Sequence, residues 1–183
     1  MKIDILENKL TDILGSRFAT SESIRSNYAR GEDVFDPILS RGIAFPYNNE
    51  EVSKIISLCN SNSIPVVPFG TGTSLEGHVL GNEKGITISL EKMNKILSLN
   101  ALDFDCRVEA CVTRKQLNDE LKDKGLFFPI DPGADASIGG MASTSASGTM
   151  AVKYGTMKNV VTGLTVVLPN GKIIKTGTRA KKS

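Results

Sequence analysis

The stretch Val66-Val67-Pro68-Phe69-Gly70-Thr71-Gly72-Thr73-Ser74-Leu75-Glu76-Gly77-His78 decides how this chain is read. It continues the apolar run from Ile64, which suits a short strand, and then enters a glycine-rich turn. Glycine permits backbone conformations that aim several N–H groups at one point, and the threonine and serine hydroxyls add donors beside them. Together these make an uncharged nest suited to a pyrophosphate. The spacing is neither G-x-G-x-x-G nor G-x-x-x-x-G-K-[ST], so the standard dinucleotide and Walker fingerprints are absent. On this chemistry alone, a plain turn and a phosphate nest both stay open.

Upstream of the loop, Ile3, Leu6, Leu10, Ile13 and Leu14 form an amphipathic helical stripe that Gly15 ends. Asn48 and Glu51 have capping-box spacing and open a second helix, whose apolar face is Val52, Ile55, Ile56 and Cys59. Downstream, Gly85–Leu90, Lys95–Leu99 and Cys106–Val112 read as strands, the first and last alternating. Thr113 with Gln116 caps a helix through Leu117 and Leu121 that stops at Gly125. Pro169-Asn170-Gly171 joins Leu164–Leu168 to Lys172–Thr176, a hairpin signal. The expected class is α+β with irregular alternation.

A second chemical candidate runs from Asp131 through Pro132-Gly133 and Ser137-Ile138-Gly139-Gly140-Met141 to Thr149. The 17 residues from Ala136 to Val152 carry no charge and are nearly all small. Such residues fill a core poorly but let backbone approach something flat or bulky. A flexible linker is the alternative, although linkers seldom carry Ile138, Met141 and Tyr154-Gly155.

Composition excludes much else. Twenty-two basic and twenty acidic residues leave a formal charge of +2, no footprint for nucleic acid or an anionic membrane. One histidine excludes metal centres built from several imidazoles, and no metal site is expected. Cys59, Cys106 and Cys111 lack CxxC spacing and are expected to be free buried thiols, the last two on opposite strand faces. No segment reads as a membrane span or signal peptide, and a cytoplasmic protein is expected.

The loop from Val66 to Gly77 is similar to the pyrophosphate loop of FAD-linked oxidases of the vanillyl-alcohol-oxidase type. Asp131–Met141, Ala146-Ser147-Gly148-Thr149 and Lys153-Tyr154-Gly155-Thr156-Met157 resemble that family's second cofactor segment. Arg30-Gly31-Glu32-Asp33 and Val112–Asn118 fit the same group, and the likeness is greatest to flavin-dependent D-lactate dehydrogenases and the glycolate oxidase flavin subunit. It runs from about residue 25 to the end, leaving residues 1–24 as an N-terminal helical segment and 25–183 as an FAD-binding domain of two α+β subdomains.

The resemblance implies that Pro68, Gly70, Thr71, Gly72, Thr73, Ser74 and Gly77 wrap the FAD pyrophosphate. Pro132, Gly133, Ser137, Ile138, Gly139 and Gly140 would line the cofactor further along, and Ser143, Ser147, Gly148, Tyr154 and Gly155 would complete that wall. Members with covalent flavin often carry a histidine where Thr73 stands, so FAD is expected to be noncovalent. His78, where close relatives tend to have glycine, reads as a solvated loop residue.

The resemblance also implies that the flavin domain continues past Lys181-Lys182-Ser183 and that a cap domain then supplies the substrate-binding groups. The parent would be a 2-hydroxy-acid dehydrogenase passing hydride from the substrate Cα to flavin N5. This chain alone, with no catalytic residue of its own, would be inactive. A domain cut early would leave the hairpin of residues 164–176 beside an open edge, favouring self-association and weak FAD binding. A non-catalytic nucleotide- or anion-binding module is the alternative. A small nucleotide hydrolase is disfavoured because no lysine follows the loop glycines.

Overall fold

The structure is a computed structural model that describes residues 3–180. The Ile3 side chain and Lys181-Lys182-Ser183, both singled out above, lie outside the described residues. The chain divides into two compact units, Met1–Lys92 with Thr165–Ile174, and Met93–Leu164 with Lys175–Ser183. Each mixes helices and strands, so the α+β class is the one found.

The first unit opens with α1 (Ile3–Leu14), whose Leu6, Leu10 and Leu14 are buried as the periodicity requires. Gly15, at φ +60°, begins a single 3₁₀ turn through Arg17. Then come β1 (Phe18–Ala19), α2 (Glu22–Ser26), β2 (Gly42–Ala44), α3 (Asn49–Ser61), β3 (Val66–Phe69) and β4 (Ile86–Ser89). The strands lie in the order β1-β2-β4-β3, with β1 antiparallel to β2 and the other pairs parallel. The core joins Leu6, Leu10 and Leu14 to Ala44, Ile55, Cys59, Ile86 and Ile88. Residues 1–24, expected as a segment of their own, therefore supply α1 to the same core as α3 and β4. Burial pushes the Cys59 thiol up to about 11, which keeps it inert.

The alternation in 85–90 suggests one wet face, yet all four residues of β4 are buried. A central strand between parallel neighbours is covered on both faces. The buried Thr87 hydroxyl is satisfied by Ser40 Oγ at 2.7 Å.

At the start of α3, Asn48 accepts from the Glu51 N–H at 2.9 Å as the capping spacing requires. The reciprocal half of the box does not form. The Glu51 carboxylate instead takes both Arg17 guanidinium nitrogens, at 2.6 and 2.8 Å, and the Tyr47 N–H at 2.7 Å. Arg17 also donates to the Phe45 carbonyl and lies 4.2 Å over the Tyr47 ring. This bidentate pair ties the 3₁₀ turn after α1 to the start of α3.

The second unit holds β5 (Ile96–Asn100), β6 (Asp105–Val108), α4 (Arg114–Leu121), α5 (Ile138–Ser143), α6 (Ala151–Tyr154) and α7 (Met157–Val160). Strands β5 and β6 pair antiparallel. Thr113 caps α4 by accepting from the Gln116 N–H, and Gly125 ends its 3₁₀ tail at φ +67°. Val112, Leu117 and Leu121 form one core cluster. The small-residue tract, given no secondary structure by its sequence, contains all of α5 and part of α6. Its Met141 closes a second core cluster with Ile130 and Met157, so the tract does fill space.

Two cysteine expectations need correction. Cys106 is exposed rather than buried, and Cys111 lies beyond β6, so no shared strand sets their faces. Cys111 and Cys59 are buried as expected.

The last two strands, β7 (Gly163–Val167) and β8 (Ile173–Gly177), form the hairpin expected around Asn170-Gly171. The Gly171 N–H donates to the Leu168 carbonyl at 2.8 Å, and Gly171 has φ +82°, a type I turn closed by a left-handed glycine. Within the first unit this tip rests on α3, where Ser53 Oγ donates to the Gly171 carbonyl.

Replacing Glu51 by Gln should cost about 1 kcal/mol at neutral pH, the scale of a well-formed bidentate surface pair. The Arg17 hydrogen bonds hold the Glu51 carboxyl below the usual carboxylate range. Its contribution is therefore present at neutral pH and lost as pH falls through that depressed value. Urea unfolding of both proteins at pH 7 and pH 3 checks this: the gap between them should shrink in acid.

Candidate functional site

Strand β3 delivers Phe69, and the chain turns away from the sheet at Gly70. Phe69 is buried, and its carbonyl accepts from the Leu90 N–H at 2.9 Å, which fixes the point of departure. Gly72 has φ +74°, and a Cβ there would sit 2.8 Å from the Phe69 ring. Gly77 has φ +71° and lies against the Phe35 ring in the same way. Only glycine satisfies both the dihedral and the space.

Residues 30–33 close on this loop. The Glu32 N–H donates to the Gly72 carbonyl at 2.9 Å. A Cβ on Gly31 would meet the carbonyl oxygens of Gly72 and Ser74 at 2.7 and 2.8 Å. Buried Asp33 accepts from the Gly31 and Phe35 N–H groups, both at 3.1 Å, and so holds the segment's turn. Tyr28 stands edge-on to Phe69 at 5.1 Å, with its hydroxyl 2.6 Å from Glu91 Oε2. Neither Gly31 nor Asp33 was singled out for a role by sequence, although the Arg30–Asp33 motif was. A glycine beside an acidic residue was the available signal.

Gly72 is buried, yet among the described residues no acceptor meets the N–H of Gly72, Thr73 or Ser74. The Thr71 and Thr73 hydroxyl oxygens lie 3.4 Å apart. Ser74 Oγ lies 3.0 Å from His78 Nδ1 and accepts from the Glu76 N–H at 3.4 Å. His78 is exposed as expected but is hydrogen-bonded. The loop thus gathers Gly70, Thr71, Gly72, Thr73 and Ser74 into one donor-rich turn, with Pro68 in β3 behind it.

In the second unit the Ser137–Gly140 region is anchored from below. Ser137 is buried, and it bridges to Thr113. The Ile138 and Gly139 N–H groups donate to the Val112 and Ala110 carbonyls, both at 2.8 Å. A Cβ on Gly139 would meet that of Ala110 at 2.7 Å, and one on Gly148 would run into the Asp131 backbone. Gly155, at φ +79°, faces the Asn159 side chain that caps α7. These three glycines are required by packing within the unit. Pro132, Gly133, Gly140, Ser143 and Ser147 are exposed, while Ile138, Gly148, Tyr154 and Gly155 are half-buried. Tyr154 meets Phe127 edge-on at 5.5 Å. Arg114 lies 3.6 Å from Asp131, and its buried Nε has no hydrogen-bond partner.

A model of the FAD binding domain family matches residues 40–177. The chain belongs to this family. A probable mitochondrial D-lactate dehydrogenase of Danio rerio is 46% identical over 164 residues, which are 90% of this chain and 33% of that protein. A mitochondrial D-lactate dehydrogenase (cytochrome) of Arabidopsis thaliana is 42% identical over 179 residues, 98% of this chain and 30% of that one. The FAD-binding domain therefore spans about a third of the length of these relatives. Among solved structures, alkyldihydroxyacetonephosphate synthase matches with a TM-score of 0.84 at 20% identity, over 98% of this chain and 36% of its own. p-Cresol methylhydroxylase matches at 0.81 and 22%, over 95% and 35%. The vanillyl-alcohol-oxidase-type fold is thereby the fold of this FAD-binding domain. No described helix is long and apolar enough to cross a membrane, and no described cluster of His, Cys, Asp and Glu could hold a metal ion.

Changing Gly148 to Ala should destabilise the FAD-binding domain by about 2–3 kcal/mol, because its methyl would have to displace backbone. Gly133, at φ +90° but with open space around it, should cost only about 1 kcal/mol on the same change, for dihedral strain alone. Thermal unfolding of the two variants checks the ranking.

Proposed function

We propose that this chain is the FAD-holding part of a flavin-dependent 2-hydroxy-acid dehydrogenase of the D-lactate class. The observation that carries the reading is the Gly70–Ser74 turn. Among the described residues, no acceptor meets the peptide N–H groups of buried Gly72 and its half-buried neighbours Thr73 and Ser74. Such groups are costly to bury unless something accepts from them, and a pyrophosphate offers only acceptors. Pro68, Gly70, Thr71, Gly72, Thr73, Ser74 and Gly77 would hold that end of FAD. Pro132, Gly133, Ser137, Ile138, Gly139, Gly140, Ser143, Ser147, Gly148, Tyr154 and Gly155 would hold the cofactor further along.

When bound, FAD supplies a hydride acceptor for oxidation of a CH–OH group. The chain's own task is to fix it with backbone donors and hydroxyls. The link is noncovalent, since Thr73 offers no side chain that would bond the flavin. The names carried by the relatives favour D-lactate over glycolate as the parent's substrate. Four relatives are named as mitochondrial. The free thiols suit any reducing compartment, cytoplasm or mitochondrial matrix alike. Val166, Leu168, Ile173 and Ile174 are half-buried on a two-stranded hairpin, which supports self-association through its edge.

Changing Gly72 to Val should abolish FAD binding, read by quenching of flavin fluorescence. Acid precipitation of the flavin-loaded protein should release all flavin to the supernatant. The chain alone should show no saturable turnover of D-lactate with a dye acceptor, even with FAD added. Flavin binding unaltered in the Gly72 variant would overturn the assignment of the loop and favour the reading of a module that binds no flavin there.

A further inference from the structure

The loop that meets the anion contains no lysine or arginine. From Pro68 to His78 its one charged side chain is the carboxylate of Glu76. Peptide N–H groups and hydroxyls must therefore do the recognition, and a hydroxyl is ambiguous in a way that a peptide N–H is not. It carries one hydrogen and two lone pairs, and it faces an anion favourably only when its hydrogen points there.

Ser74 is placed to lose that ambiguity. Its oxygen accepts from the Glu76 N–H at 3.4 Å and lies 3.0 Å from His78 Nδ1. If Nδ1 carries the hydrogen, the ring donates to Ser74 as well, both lone pairs are engaged, and the Ser74 hydrogen is left to donate outward. If Nε2 carries it, Ser74 spends its hydrogen on the ring and presents a lone pair to whatever sits in the loop. The choice between tautomers is a choice between a donor and an acceptor at Oγ.

We propose that His78 is a positioning residue for flavin: its Nδ1–H donates to Ser74 Oγ and turns the Ser74 hydroxyl into a donor for the FAD pyrophosphate. This rests on the assignment of the loop as the pyrophosphate site. In this role His78 acts through Ser74 rather than on the cofactor, and because it is exposed its replacement should leave packing intact.

The test is FAD affinity of the full chain by fluorescence quenching, for wild type, His78→Phe, His78→Asn, Ser74→Ala and the Ser74→Ala/His78→Phe double variant. Asn can place an amide N–H where Nδ1–H stands. His78→Phe should weaken binding about tenfold, and His78→Asn should restore it to within about threefold of wild type. Ser74→Ala should weaken binding about as much as His78→Phe, and the double variant no further than Ser74→Ala. The chain has one histidine, so its ¹⁵N imidazole spectrum reports this ring alone; FAD should drive it to the Nδ1–H tautomer. Wild-type affinity in His78→Phe, additive losses in the double variant, or a ring that stays Nε2–H with FAD would each overturn the role of His78 and leave the loop assignment standing. Failure of the wild-type chain to bind FAD at all would overturn both.

Discussion

The first unit depends on one close approach of backbone to backbone. Gly31 lies against the Gly72 and Ser74 carbonyls, and the Glu32 N–H closes a hydrogen bond of 2.9 Å onto Gly72. Any side chain at Gly31 would force the two segments apart. Any side chain at Gly72 would be driven into the Phe69 ring below. The loop is thus held from two sides by contacts that have no room to relax. The Gly72 carbonyl is spent inward on Glu32, while among the described residues no acceptor meets the N–H groups of Gly72, Thr73 and Ser74. That division of labour, rather than glycine content as such, gives the turn its polarity.

Rigidity matters here because the donors are uncharged. A lysine can track an anion across several positions on its flexible stem, whereas a peptide N–H works only where the backbone puts it. The aromatic support of Phe69 by Tyr28, itself tied to Glu91, extends the same preorganisation one layer further down. In the second unit the carbonyls of Ala110 and Val112 play the comparable part, holding the start of α5 by two bonds of 2.8 Å.

Legibility in the sequence followed periodicity and caps. The first helix, the helix after Asn48 and the helix after Thr113 each carry an apolar stripe and a terminal signal, and each was found where expected. The three short helices of the second unit are too brief to carry such a stripe, and only α7 has a capping box, Thr156 with Asn159. Ile138–Ser143 holds two glycines in six residues, against every helical preference, and is held in place by tertiary bonds to 110 and 112. The loop at Gly70–Ser74 was legible as a nest because its residue types are extreme. The packing duties of Gly139, Gly148 and Gly155 were not, since a glycine serving its own fold and one serving a ligand look identical in sequence. His78 was read as a solvated side chain because exposure was foreseeable from the loop and its bond to Ser74 was not.

The hairpin tip on α3 bears on how the chain is made as well as how it stands. Ser53 finds its partner Gly171 across 118 residues, and the whole stretch Met93–Leu164 is emitted between the two halves of the first unit. A nascent chain can lay down α1, α3 and the four-stranded sheet early, but the hairpin that completes this unit arrives only afterwards. At synthesis rates of about 5–20 residues per second, that delay is several seconds, during which the surface of α3 around Ser53 and Ser57 waits uncovered. Completion of the first unit therefore waits until residues 93–164 have been delivered.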